Sequence, residues 1–140
     1  KVELDGYTWN FSQLLAHEAV HCLQYDHLGL LKTNPLGNIP QWKFEGYPEY
    51  IARKKADQLD LVQNIIRLEA TEKTDHNGWI CFADGTGTVL PYYKSWLLVQ
   101  YCMDIKKMSY GQLLAGTETE DEIRKEMMDW YAWKKSKSQN

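Results

Sequence analysis

Two histidines four residues apart, His17 and His21, with Glu18 directly after the first, constrain this chain more than any other feature. Residues at this spacing share one side of a helix, about one turn apart along its axis. The two imidazoles can then face a single metal ion. Glu18 lies on the flank of that face, roughly 60° round from His21 at about 100° per residue. A base that takes a proton from a metal-activated water belongs there. The spacing H-E-x-x-H is a metalloprotease signature with this mechanical basis.

The flanking residues suit a helix. Phe11, Leu14, Leu15, Val20, Leu23 and Leu28 recur three and four apart and are expected to form its apolar side. Asn10 or Ser12 offers an N-cap and Gly29 suits the far end, so a helix is predicted from about Ser12 to Leu28. A lone histidine there would read as a buried side chain satisfied by hydrogen bonds. The pair, with Glu18 between them, makes a metal site the expectation.

Zinc in a hydrolase takes three protein ligands and leaves one position for water. The histidine-rich continuation H-E-x-x-H-x-x-G-x-x-H is absent: Gln24 stands where that pattern needs glycine. A carboxylate is the remaining option, and the segment from Pro40 to Tyr50 offers Glu45 and Glu49 on one helix face. One can ligate while the other accepts the second N–H of a ligating histidine. The spacing alone leaves open which does which.

With these two motifs the chain resembles the gluzincin metallopeptidases, and more closely the small peptidase MA-like domains. Their second motif is roughly P-x-W-x-x-E-G-x-x-E-Y, which Pro40, Trp42, Glu45, Gly46, Glu49 and Tyr50 match position by position. The resemblance implies a zinc-dependent peptidase acting on a peptide or protein substrate, with one Zn²⁺ per chain. It implies His17, His21 and Glu45 as metal ligands, Glu18 as general base and Glu49 as the brace of the first histidine. Gly46 is expected to leave room beside the metal. Tyr92-Tyr93-Lys94-Ser95 resembles the Tyr-x-x-small stretch of the zinc aminopeptidases, which implies Tyr92 as oxyanion donor, with Tyr93 its rival. Gluzincins usually carry a β-sheet before the metal helix, whereas only Lys1 to Asn10 precede it here. The sheet is expected to be lost, cut away or reduced to a piece around Val2 to Trp9. The competing expectation is a derived domain that binds zinc or peptide without turnover.

The rest of the chain bounds these readings. Its 140 residues suit one domain, 1–140, trimmed or reduced at its start, and mainly α. Hydrophobic residues at 44% and aromatics at 13% argue for a packed core. A net charge of −3 gives no electrostatic reason to expect nucleic acid. No apolar run approaches the length of about 18 residues that a membrane span needs. The first residue is Lys1 and no signal peptide is visible, so a mature or trimmed product is expected and the compartment stays open; for such a product an extracytoplasmic or secreted setting is the favoured one. Cys22, Cys81 and Cys102 are read as small apolar residues.

Further helices are predicted from about Gln41 to Lys73, interrupted near Pro48, and from Pro91 onward. Ser109 with Gln112, and Thr119 with Glu122, form capping boxes before a short helix and a final one ending near Lys135. Leu30 to Gln41 is expected as a loop. Asp75 to Pro91 is expected as a connection with an extended piece at Trp79 to Phe82 and a flexible turn at Gly85-Thr86-Gly87.

Overall fold

The structure is a computed structural model that describes residues 1–29, 39–74 and 77–138. Asp5 and Gly6 both take positive φ, 53° and 80°, the geometry of a tight hairpin turn. Val2–Leu4 (β1) and Tyr7–Trp9 (β2) therefore pair antiparallel, with Glu3 opposite Thr8. Asn10 then starts the first helix, Phe11–Leu28 (α1), its side chain accepting the Gln13 N–H at 3.1 Å. Gly29 ends α1 at φ 77°, a conformation that favours glycine.

Gln41–Ala52 (α2) runs straight through Pro48. The predicted break comes later, at the Ala56–Gln58 turn, before Asp60 caps Leu61–Glu72 (α3). Proline removes one hydrogen bond of the ladder, and packing on both sides of α2 holds the helix together across the gap.

A second hairpin follows, Trp79–Cys81 (β3) with Gly87–Val89 (β4). The predicted flexible turn is corrected here. Gly85 supplies the turn at φ 75°, but Thr86 and Gly87 are buried, and a Cβ on Gly87 would run into the Ile80 carbonyl and the Trp79 ring. Tyr7 stacks on Trp79 at 4.4 Å and Trp9 meets it edge-on at 4.7 Å, which ties the two hairpins together.

Leu90–Gln100 (α4) continues into a single π turn over Tyr101–Ile105. Ser109 and Gln112 form the expected reciprocal cap of Tyr110–Ala115 (α5). Thr119 and Glu122 cap Glu120–Ser138 (α6), which runs three residues beyond its predicted end. The chain is thus mainly helical, with a small β hairpin at its start, as expected. No helix among the described residues is long and apolar enough to cross a membrane. The predicted 30–41 loop lies mostly outside the described residues.

The core sits between α2, α3, α4 and α6, around Trp42, Ile65, Trp96, Leu97 and Met127. Gly46 is what lets α2 and α4 touch: a Cβ there would collide with the Ser95 carbonyl oxygen and lie 2.7 Å from Val99 Cγ2. Its role is helix packing, and the expectation that it makes room beside the metal is replaced by this contact. The reading of α1 is also corrected. Phe11, Leu15 and Leu23 are exposed, and the buried face carries Gln13, His17, Val20 and Gln24. A helix side built from two histidines and two glutamines cannot also be its greasy side. The thiols divide as well: Cys22 and Cys81 are free and exposed, and only Cys102 behaves as a small buried residue.

Candidate metal centre

The buried face of α1 lies against α2, and this contact brings His17, His21 and Glu45 together. The two Nε2 atoms are 3.0 Å apart. Glu45 Oε2 lies 3.3 Å from His21 Nε2 and 3.4 Å from His17 Nε2. Bond lengths of about 2.0–2.1 Å place the ligands of a tetrahedral zinc about 3.3 Å apart. The three atoms therefore form one face of a tetrahedron of the right size, and the donor set fits zinc. Among the described residues no other three such groups converge.

His17 Nδ1 lies 2.9 Å from Glu49 Oε1, one turn beyond Glu45 on α2. Glu49 is 2% exposed, and its other oxygen accepts from Arg53 Nε at 2.8 Å. Arg53 Nη1 donates on to Gln13 Oε1 at 2.6 Å, and Gln13 donates to Gln58 at 2.7 Å. This buried chain clamps α1 to α2 behind the histidine. Burial opposes charge on Glu49, but the His17 hydrogen bond and the Arg53 guanidinium outweigh it and hold the carboxyl below the usual range. Glu49 thus has the brace geometry expected of it, and Glu45 alone of the two faces both Nε2 atoms.

The members of the triad shift one another's titration. Burial lowers the pKa of His17, yet hydrogen bonds to Glu45 and Glu49 raise it to about 9. Glu45 is opposed by burial in the other sense, and its hydrogen bonds to His17 and His21 bring it down to about 2. A proton satisfies this arrangement, and so does a metal ion.

Glu18 is exposed on α1, directly after His17 in the chain. The Tyr92 ring lies parallel to the His17 ring, 5.7 Å away and tilted by 13°. Burial raises the pKa of its hydroxyl, helped by the charges of Glu45, Glu18 and Glu49, so the hydroxyl keeps its proton. Tyr93 is no rival. It is fully buried, its hydroxyl donating to the Asn64 carbonyl at 3.0 Å and accepting from Arg67 at 3.1 Å. A cleft of about 250 Å³ opens next to Glu45 and Tyr92, walled by Trp42, Leu90, Pro91 and Ser95.

Sequence reasoning missed Gln13, Gln24 and Arg53. A signal was there: Gln13, His17 and Gln24 fall four and seven apart, so a polar stripe runs along one side of α1, apart from Phe11, Leu15 and Leu23. No family model, curated protein or solved structure shows a significant match to the chain.

Proposed function

We propose that the chain is a zinc-dependent hydrolase of gluzincin type that cleaves peptide bonds. The observation that carries this reading is the triangle of His17, His21 and Glu45 ligand atoms, with sides of 3.0, 3.3 and 3.4 Å, on a helix where Glu18 follows His17. Zinc held there would act as a Lewis acid toward a substrate carbonyl and make water acidic enough to attack near neutral pH.

The remaining steps belong to the chain. Glu18 accepts the proton of the attacking water and passes it to the leaving amine. Tyr92, protonated and adjacent to His17, donates to the oxyanion that develops on the carbonyl. Glu49, at His17 Nδ1, holds the ring so that its Nε2 faces Glu45 and His21. The cleft beside Glu45 receives a substrate side chain next to the scissile bond.

Elemental analysis tests the metal site. One zinc per chain is expected, with none retained stoichiometrically by His17→Ala or His21→Ala and much weaker binding by Glu45→Ala. Full occupancy in Glu45→Ala would remove Glu45 from the ligand set.

A further inference from the structure

Gln24 is 3% exposed on the histidine face of α1, and the chemistry above makes no use of it. All of its amide is engaged. Oε1 lies 2.8 Å from His21 Nδ1, while Nε2 donates to the Phe44 carbonyl at 3.2 Å and to the Tyr110 hydroxyl at 2.9 Å. A backbone carbonyl only accepts, so the nitrogen end of the amide must face Phe44 and the oxygen end must face His21. An oxygen there requires the hydrogen of His21 to sit on Nδ1, which leaves the Nε2 lone pair facing Glu45 and His17.

Two features hold the amide in place. The Phe44 carbonyl is free to accept because its helical partner four residues on is Pro48, which has no N–H. Tyr110 stands at the capped start of α5 and stacks on Tyr47 of α2 at 3.7 Å. The proline that should break α2 instead exposes the acceptor that orients Gln24.

We propose that Gln24, locked by Phe44 and Tyr110, is the positioning residue that fixes the tautomer of His21 and aims its Nε2 at the metal. This rests on the zinc reading above. Glu49 does the same for His17 with a charge, so one ligand is braced by a carboxylate and the other by a neutral amide.

The test is zinc affinity, measured by competition with a chromophoric chelator, for wild type, Gln24→Met and Gln24→Glu. Methionine keeps the shape without an acceptor; glutamate keeps an acceptor for His21 but loses both donors. Gln24→Met should bind zinc roughly 10–100-fold more weakly, the usual loss for such a partner, and Gln24→Glu should recover much of that loss. A purely packing role would weaken both alike, so equal losses overturn the inference, as does a Gln24→Met chain with wild-type affinity. In zinc-loaded wild type, long-range ¹H–¹⁵N correlations of the His21 ring should place its hydrogen on Nδ1. A hydrogen on Nε2 overturns the inference whatever the variants do. Wild type that takes up no zinc would refute the zinc reading itself, and this inference with it.

Discussion

Glu49 shares its two oxygens between His17 Nδ1, at 2.9 Å, and Arg53 Nε, at 2.8 Å, with all three side chains buried. The carboxylate therefore orients the His17 ring and neutralises a buried guanidinium at once.

Removing it should do two separable things. Glu49→Ala strands Arg53 without its charge partner and should cost about 3–5 kcal/mol of stability, as breaking a buried pair does. Glu49→Gln keeps an oxygen acceptor and should be milder on both counts, while Glu49→Ala also weakens zinc binding by roughly 10–100-fold. Chemical denaturation of the metal-free chain and zinc titration read the two effects independently. A Glu49→Ala chain as stable as wild type would contradict the clamp.

The titration of the triad predicts a pH window for the metal-free chain. His17 is raised from 6.5 to about 9, so its contribution is complete below 6.5 and is lost as pH rises through about 9. Glu45 is lowered from 4.5 to about 2, so its contribution is complete above 4.5 and is lost as pH falls through about 2. Both shifts describe one shared charge pair and do not add. Melting temperature should therefore peak between pH 4.5 and 6.5 and decline toward 9. Zinc must displace the His17 proton, so its affinity should climb with pH across the neutral range. A pH-independent affinity there would contradict the protonated triad.

Tyr92 is expected to act in the transition state and not in substrate binding. Tyr92→Phe should lower kcat with KM nearly unchanged, by the roughly 10²–10³-fold typical of a lost oxyanion donor. A rise in KM alone would mean that the ring only lines the cleft.

Much of this site was legible in the sequence because its parts are local. The His17–His21 spacing, the Asn10 and Ser109 caps and the Trp42-x-x-Glu45-Gly46 stretch each depend on neighbours within a turn or two. The rest depends on which side of each helix meets another. Phe11, Leu15 and Leu23 have helical spacing, yet α1 docks on α2 through the face of Gln13, His17, Val20 and Gln24, so the leucines face outward. Pro48 reads as a break, but its missing N–H is compensated across the helix contact by Gln24. Gly46 sits beside Glu45 in sequence, while its absent side chain matters to Ser95 and Val99, about fifty residues away. Such partners follow only from the assembled fold.

The most direct test of the central claim is peptide hydrolysis by zinc-loaded wild type and zinc-loaded Glu18→Gln, followed by mass spectrometry. The substitution keeps the shape of the side chain and leaves His17, His21 and Glu45 to hold the metal, but it removes the proton acceptor. Wild type should cleave, and the variant should lose the ~10²–10⁴-fold that general acid–base catalysis supplies. Equal rates in the two zinc-loaded proteins, or no cleavage by either, would contradict a hydrolase that works through Glu18.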